Sequence, residues 1–363
     1  MVTRTGNLPL GASRTSRPYD VDPIRRLLEE GVRRRTCPGA VWAVGDADGM
    51  YDFGAVGVPD PAVPDVPMRL DTVFDVASLT KILVTWSSIG ALWETDRLDI
   101  DAPLGDFWPE VTGHPVGGLT ARRLLTHTAG LPLRAQLRHL YGIDREDIRA
   151  GVLREALRRP PGQAVEYTDR AAIILGFLAE HLTGVRLDEL ASVQTWRPLG
   201  LTTTGYGPLA PERRFRCAPT EADPDTGLHI KGSVHDFSAR LLGPSCGSAG
   251  VFSTAEDLGV FLRHVLGGAT GAARPGFGSA WTSLSLRVQT GDLRPVRGLF
   301  WQLAPGTGPA EDTWVHYGFT GVGMWVNPRL SRWAVLLTNK VYYTRDKQPL
   351  TEVRNGFRRL VFG

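Results

Sequence analysis

Segments with strand signals lie at the two ends of this chain, and a long, mostly helical stretch separates them. Two such segments near the amino end, 40–45 and 51–58, are joined by the turn-rich sequence DADG. Four more are predicted near the carboxyl end, at 299–303, 314–316, 324–327 and 333–338. This order predicts one α/β sheet domain that is interrupted by a helical domain.

The helical signals place the domain boundaries. The predicted helices, amphipathic or capped, are 22–35, 168–183, 254–268 and 349–361. A further helical pattern begins near Ser78, and the proline- and glycine-rich stretch 205–227 is predicted to form a long loop. We expect 1–72 and 245–363 to form the sheet domain and 73–244 to form the helical domain, with an active site between them.

The composition is ordinary for a globular protein, with 363 residues, 42% hydrophobic and 22% charged. No apolar stretch approaches the length of a membrane span. The net charge is only +3, and the 41 basic residues are scattered along the chain, so a nucleic-acid partner is not expected. A membrane partner is not expected either.

Three features of the sequence bear on the expected cellular compartment and on the expected metal or cofactor: the cysteines, the N-terminal segment and the histidines. Cys37, Cys217 and Cys246 cannot all pair within the chain and lack zinc-type spacing, which suits a reducing compartment. The N-terminal segment lacks the apolar core of a signal peptide, so we expect a cytoplasmic protein. The eight histidines are dispersed and no glycine-rich loop has the dinucleotide-binding form, so no metal and no cofactor are expected.

Lysine is rare in this chain: of 41 basic residues only four are lysine. Lysine can lose its proton in a protein, whereas arginine does not. One of the four, Lys81, follows Ser78 by three residues and would share its helix face. Desolvation would lower the pKa of Lys81, so that its amine activates the Ser78 hydroxyl as a nucleophile. A surface serine and lysine on an ordinary helix explain this motif equally well.

Two further segments carry groups that suit acyl transfer. Tyr167 and Asp169 precede a strongly periodic helix, and a tyrosine hydroxyl near a lysine can act as a base or return a proton to a leaving group. Helix capping alone would also explain Asp169. The segment from His316 to Gly321, HYGFTG, follows a predicted strand, where Gly318 lets the backbone approach a ligand and a following N–H can face an oxyanion.

Taken together and in this order, the segments CPGAVWAV, TVFDVASLTK, RLDIDAPL, ARRLLTHTAGLP, EYTD, GSAGVFSTAEDL and HYGFTGVGMWVNP cover most of the chain. In them the chain resembles the class C β-lactamase-like serine hydrolases, a family of penicillin-interacting enzymes, D-amino-acid peptidases, esterases and acyltransferases. The resemblance implies an α/β (α+β) fold like that of β-lactamases and penicillin-binding proteins. In that fold an antiparallel sheet is flanked by helices and carries an inserted, mostly helical domain.

The resemblance also implies roles for individual residues. Ser78 matches the nucleophile, Lys81 its partner and Tyr167 the tyrosine that relays protons. His316 and Gly318 match the ends of the third motif, which implies an oxyanion hole formed by the backbone N–H groups of Ser78 and Phe319. Two other histidines lie in family-like segments: we expect His127 to be structural, and we expect His235, with Asp236, to belong to a loop near the site.

Two positions depart from the family pattern and bear on the substrate. Asp169 stands where asparagine is common, and Tyr317 stands where threonine is common. The small hydroxyl and the nearby lysine that bind a substrate carboxylate in β-lactam-recognising relatives are therefore absent, so efficient β-lactam hydrolysis is not expected. Asp169 would suit an amine acceptor, and Tyr317 is a candidate for lining the substrate pocket.

These residues lead to one main functional hypothesis, a serine esterase or transacylase. Its partner would be a small-molecule acyl donor, an ester or amide in the cytosol. It would pass the acyl group from Ser78 to water or to an amine or alcohol, with natural-product biosynthesis as one setting. A D-stereospecific peptidase or amidase would use the same catalytic groups and differ in the leaving group. A β-lactamase would also use them, and a scaffold kept only for binding would use none.

Overall fold

A six-stranded antiparallel sheet forms the centre of the protein. The computed structural model describes residues 22–133, 136–267 and 276–363. The sheet has the strand order β2-β1-β9-β8-β7-β6. Its strands are β1 (Gly39–Asp46), β2 (Met50–Gly57), β6 (Gln302–Leu303), β7 (Trp314–Tyr317), β8 (Gly323–Asn327) and β9 (Arg332–Thr338). The pairing of β1 with β9 joins the two ends of the chain, as the sequence order predicted.

A second, three-stranded sheet connects the large sheet to the helical middle. It has the order β3-β5-β4, with β3 at Phe74–Asp75, β4 at Gly205–Tyr206 and β5 at Val251–Ser253. Because β3 and β5 pair across the expected boundaries at 73 and 245, the segments on either side are tied together just before Ser78. The division into two domains at these positions stays a prediction.

The α-helices surround the sheets. They are α1 (Asp22–Arg33), α2 (Ser87–Glu94), α3 (Ala121–Leu125), α4 (Leu137–Tyr141), α5 (Arg145–Leu153), α6 (Asp169–Thr183), α7 (Leu187–Ala191), α8 (Arg197–Leu199), α9 (Pro211–Arg214), α10 (Phe237–Leu242), α11 (Ala255–Val265), α12 (Ser279–Ser285) and α13 (Gln348–Phe362). A 3₁₀ turn, Ala77–Leu79, and a π-helical segment, Lys81–Trp86, lead directly into α2.

Both faces of the large sheet are buried, and β1 shows why. Successive side chains of a strand point to opposite faces. Trp42 packs in one apolar cluster with α1 and α13, whereas Val41 and Ala43 belong to the cluster that includes α11 and the helical middle. The result is a sheet covered by helices on both sides, and the larger cluster runs without a break into α6.

Most elements follow the sequence prediction, and the exceptions have local causes. The predicted strand 299–303 is wrong for its first residues, because Phe300 has a φ of 60° and donates its N–H to the carbonyl of Leu125. Only Gln302–Leu303 pairs in the sheet. The predicted loop 205–227 contains the short elements β4 and α9, and the helix expected near Ser78 begins as a 3₁₀ turn.

Three further findings concern membranes and cysteines. Within the described residues, no helix combines the length and the apolar character needed to cross a bilayer. Cys37, Cys217 and Cys246 are all free and buried. Burial raises the pKa of Cys37 and that of Cys217 to about 12, so neither thiol is ionised near neutral pH.

Candidate active site

The turn that carries Ser78 is held by a buried carboxylate. Ala77 has a φ of 45°, a left-handed conformation that is unusual for a residue with a Cβ. Asp75, 3% exposed, accepts hydrogen bonds from the N–H groups of Ala77 at 2.8 Å and His235 at 2.7 Å, and its carbonyl accepts one from the Thr320 hydroxyl at 2.8 Å. Asp75 therefore joins the nucleophile turn to two other cleft segments.

Asp75 is a site residue that sequence motifs alone did not reveal. The available clue was an acidic residue within the apolar run VFDV immediately before Ser78. Burial raises the pKa of Asp75 to about 6, although the two N–H donors act in the opposite direction.

Ser78 receives hydrogen bonds from the two groups that the sequence placed beside it. The Lys81 ammonium lies 3.0 Å from Ser78 Oγ, and the Tyr167 hydroxyl lies 2.9 Å from the same oxygen. Lys81 reaches it from the following helical turn, and Tyr167 reaches it from the segment just before α6. The fold therefore brings together residues 89 positions apart in the chain.

Lys81 is fully buried and all three of its N–H groups have acceptors. Besides Ser78 Oγ, these are Asp169 Oδ1 at 2.7 Å and the carbonyl of Ser248 at 2.9 Å. Burial, the largest single influence, lowers the pKa of Lys81, but the charge of Asp169, acting together with Tyr167 and their hydrogen bonds, outweighs burial and the pKa lies above its usual value. The expectation of a lowered pKa is wrong, because an asparagine at this position would carry no charge and the aspartate does.

Tyr167 lies between cationic and aromatic neighbours. Its ring packs against His127 at 4.6 Å, and the Lys81 ammonium and the Arg297 guanidinium lie 5.1 and 5.6 Å from the ring centre. Desolvation raises the pKa of Tyr167, while the charge of Lys81 lowers it, and the net direction is upward. Tyr167 is therefore mainly a neutral phenol at neutral pH.

The third motif borders the turn that carries Ser78. His316 is the third residue of β7 and donates Nδ1–H to the Phe300 carbonyl at 2.7 Å, which leaves Nε2 as an acceptor. Burial, followed by the charge of Lys81, lowers the pKa of His316 to about 3, so the ring is neutral. At Gly318 a Cβ would lie 2.4 Å from Val322 Cγ2, so only glycine fits there without displacement.

Tyr317 and Phe319 both line the cleft. The Tyr317 ring packs edge-on against Trp325, with ring centres 5.5 Å apart, and lies beside the Arg354 guanidinium. In the part of the chain that the structure describes, the Phe319 N–H donates to no backbone carbonyl. This N–H is therefore available to a ligand.

The remaining predicted residues lie close to these groups. His127 is 1% exposed, packs beneath Tyr167, and its Nδ1 accepts a weak hydrogen bond from Thr168 N–H at 3.4 Å. Desolvation lowers the pKa of His127 well below its usual value. Asp236 accepts from Ala239 N–H as the cap of α10, and both His235 and Asp236 line the cleft.

The cleft beside Ser78 has a volume of about 630 Å³ and contains basic side chains that the sequence analysis did not assign to it. They are Arg297, Lys340, Arg345, Lys347 and Arg354. The rarity of lysine was the available clue, because Lys81 contacts Ser78 and two more of the four lysines line this cleft. Within the described residues, no group of three or more potential metal-ligating side chains occurs.

Comparison with known proteins finds a family match that spans most of the chain. The family model described as Beta-lactamase matches residues 24–355. A protein of Escherichia coli (strain K12) described as "Putative D-alanyl-D-alanine carboxypeptidase" is 28% identical over 327 residues, which cover 80% of this chain and 73% of that protein.

Two solved structures share the fold. One is a class C β-lactamase from Rhodobacter sphaeroides, with a TM-score of 0.72 and 20% identity, covering 92% of this chain and 98% of that one. The other is EstCE1, described as a hydrolase with promiscuous acyltransferase activity, with a TM-score of 0.71 and 20% identity, covering 92% and 97%. At such identities the likeness concerns the fold alone.

Proposed function

The chain belongs to the Beta-lactamase family of serine hydrolases, and on that premise we propose that it is an acyl-enzyme esterase or transacylase. Ser78 takes an acyl group from a small-molecule ester or amide and passes it to water or to an amine or alcohol. The observation that carries this proposal is the pair of hydrogen bonds from Lys81 and Tyr167 to Ser78 Oγ, at 3.0 and 2.9 Å, beside a cleft of about 630 Å³.

The charges around Ser78 favour Tyr167 as the general base. Lys81 is kept as an ammonium by Asp169 and cannot accept a proton in that form. A phenolate at Tyr167 would lie close to that ammonium, which stabilises it electrostatically. In the proposed step, the phenolate form of Tyr167 takes the proton of Ser78 as Oγ bonds to the substrate carbonyl carbon. Tyr167 then gives this proton to the leaving group as the carbonyl–heteroatom bond breaks.

The developing oxyanion needs donors that are free before the substrate arrives. The Phe319 N–H meets this requirement in the described part of the chain, and the family resemblance adds the Ser78 N–H. Removal of one such donor typically slows acyl transfer by about 10²–10³-fold. Asp75 holds both sides of this hole, because it bonds to Ala77 N–H and to the Thr320 hydroxyl.

Hydrolysis and transfer differ only in the group that enters after the leaving group departs. The named activity of EstCE1 supports including transfer, since that protein is described as a hydrolase with acyltransferase activity. Asp169 and Asp236 line one side of the cleft and would favour an amine acceptor.

A set of p-nitrophenyl esters of graded acyl length, with and without added amines, tests the proposal. Intact mass should show an acyl adduct in the wild type and none in Ser78→Ala. Faster resolution of the adduct by amine, with amide as product, would show transfer, and resolution by water alone would show an esterase. An adduct on Ser78→Ala, or no adduct with any ester, would contradict the proposal.

A D-stereospecific carboxypeptidase is the second candidate, and Arg297 is the observation that favours it. Arg297 is 5% exposed, lines the cleft and lies over the Tyr167 ring at 5.6 Å. Its Nε has no hydrogen-bond partner, and no described carboxylate forms an ion pair with it. A buried guanidinium without a counter-charge is costly, and the C-terminal carboxylate of a peptide would supply one.

Peptides that end in D-alanyl-D-alanine, compared with the same peptides as C-terminal amides, separate the two candidates. A carboxypeptidase should cleave the free acid at least tenfold faster, and Arg297→Gln should remove most of that preference. Equal rates for acid and amide would leave the esterase or transacylase function as the better description.

A further inference from the structure

The cleft is lined by a cluster of four basic side chains, here called the basic rim: Lys340, Arg345, Lys347 and Arg354. Arg345 and Lys347 are exposed, Arg354 is half-buried and Lys340 is buried. Three of them surround one ring. The charged groups of Lys340, Arg345 and Lys347 lie 5.4, 5.1 and 5.8 Å from the centre of the Phe319 ring. Arg354 lies 4.4 Å from the centre of the neighbouring Tyr317 ring. The rim therefore borders the third motif at both of its aromatic side chains.

Acidic side chains do not neutralise the basic rim. Among the described residues, Arg345 has one ion pair, to Glu221 Oε1 at 3.5 Å, and the same oxygen lies 3.4 Å from His235 Nε2. The Asp346 carboxylate accepts a hydrogen bond from Gln348 N–H at 3.0 Å. The other three cations of the rim form no ion pair in the regions that the structure covers.

Packing does not account for three cations around one phenylalanine. A single cation over an aromatic face already makes the favourable contact, and each added cation repels the others. Lys340 shows the effect, because burial, followed by the charges of Arg354 and Lys347, lowers its pKa to about 8. Its ammonium donates to the carbonyls of Thr344 at 3.2 Å and Asp346 at 2.9 Å, so one of its three N–H groups remains for a ligand.

We propose that the basic rim binds a phosphate ester, so that this enzyme acts on a phosphorylated small molecule. A phosphate monoester carries nearly two negative charges at neutral pH and three strong acceptor oxygens, which suit several converging donors better than one carboxylate does. With its phosphate at the rim, the rest of the molecule would reach along the cleft to Ser78. The phosphate belongs either to the leaving group of the donor or to the acceptor. This inference rests on the proposed acyl-enzyme function.

Binding of phenyl phosphate, measured by calorimetry without any acyl donor, tests the rim by itself. The wild type should bind phenyl phosphate at least tenfold more tightly than benzoate, because a dianion meets more of the rim cations. The double variant Arg345→Gln/Lys347→Gln removes two exposed side chains and should weaken binding by about tenfold. Arg329→Gln on the β8–β9 turn and Lys231→Gln, both outside the cleft, are the matched controls.

Two kinetic comparisons identify the source of the phosphate. In the donor arm, the acetyl ester of 4-hydroxyphenyl phosphate is compared with phenyl acetate. In the acceptor arm, the acetyl-enzyme formed from p-nitrophenyl acetate is resolved with O-phosphoethanolamine or with ethanolamine. A preference of about tenfold for the phosphorylated compound in one arm, lost in the double variant, would support the proposal and name the source.

The outcomes also separate this proposal from the proposed function. If phenyl phosphate binds no more tightly than benzoate, or binds the double variant as well as the wild type, the phosphate proposal is wrong even where Ser78 acylation proceeds. A lack of preference in both kinetic arms would overturn it as well. If phenyl phosphate binds through the rim but no ester acylates Ser78, the acyl-enzyme function is the part that fails.

Discussion

Two regions of one cleft differ in how their charges are satisfied. One region, here called the floor, consists of the proposed catalytic residues Ser78, Lys81, Tyr167 and Asp169. Its one cation, Lys81, is paired with a carboxylate at 2.7 Å, and the three N–H groups of Lys81 all have protein acceptors. In the basic rim, four cations have a single, shared ion pair at 3.5 Å among the described residues. The floor is complete without a ligand, whereas the rim is not.

The difference fits the separate tasks that we propose for the two regions, chemistry in the floor and recognition at the rim. Acyl transfer requires its proton-transfer groups to be in position before the substrate arrives, since reorganisation during the reaction raises the barrier. The affinity for an anionic ligand increases when that ligand supplies the missing counter-charge, because the unpaired cations are stabilised only on binding. We therefore expect substitutions in the floor to change rates and substitutions in the rim to change which ligands bind.

The largest expected effect is a loss of acylation rate that leaves ligand binding at the rim unchanged. Tyr167→Phe removes the hydroxyl bonded to Ser78 but keeps the ring that packs on His127. The acylation rate with p-nitrophenyl acetate, followed as p-nitrophenol release, should fall by about 10²–10⁴-fold, the usual contribution of a general acid–base group. Phenyl phosphate affinity should stay within about twofold of wild type. A nearly unchanged rate would mean that Tyr167 is not the base.

The next largest effect is expected on stability, from a substitution of Asp75, which holds the turn that carries Ser78. In the wild type, the Asp75 carboxylate accepts hydrogen bonds from the N–H groups of Ala77 and His235. Asp75→Asn would place an NH₂ group, itself a donor, opposite one of these two N–H groups. The free energy of unfolding should fall by about 1–3 kcal/mol, the cost of leaving a buried group unsatisfied, as measured by urea denaturation. Asp48→Asn, on an exposed turn, is the matched control and should unfold like the wild type.

The pH dependence of that stability has a definite sign. Burial raises the pKa of Asp75 to about 6, so the folded protein holds this proton more tightly than the unfolded chain does. Protonated Asp75 therefore adds to the free energy of unfolding below the ordinary carboxyl pKa, and this contribution is lost as the pH rises through about 6. Asp75→Asn should remove this slope between about pH 4 and pH 6. The same slope in both proteins would contradict the raised pKa.

Asp169→Asn should move the pH profile of acylation without abolishing the reaction. The carboxylate raises the pKa of Lys81 and that of Tyr167, so its removal lowers both. A base with a lower pKa is deprotonated at lower pH, and the rising limb of kcat/KM should shift toward acid. Asp147→Asn, on the exposed surface of α5, is the control. Loss of activity at every pH would mean that Asp169 itself accepts a proton.

The smallest effect comes from salt. Raising the ionic strength from about 0.05 to 0.5 M shortens the screening length severalfold, which weakens interactions of exposed charges more than those of buried pairs. Phenyl phosphate binding at the rim, where Arg345 and Lys347 are exposed, should weaken by about threefold to tenfold. The acylation rate with the neutral ester should change by less than twofold. Equal salt dependence in both measurements would remove the distinction between floor and rim.

Much of the site could be predicted because its members are carried by local patterns. Ser78 and Lys81 are three residues apart and share a helical turn, and Tyr167 immediately precedes the strongly periodic α6. Their mutual distances of 2.9 and 3.0 Å agree with that expectation. The protonation of Lys81 could not be predicted in the same way, since it depends on the distance between its ammonium and a carboxylate 88 residues away.

The sequence by itself determined the family and the order of the sheet and helical segments. It also determined which residues lie beside Ser78, because hydrophobic period and short motifs are local properties. Only the tertiary structure decided which distant charges meet. Packing brings Asp75 to the Ala77 turn, Arg297 to Tyr167, and the 340–347 segment to Phe319. Electrostatic energy depends on distance in space and on burial, and neither can be read from spacing along the chain.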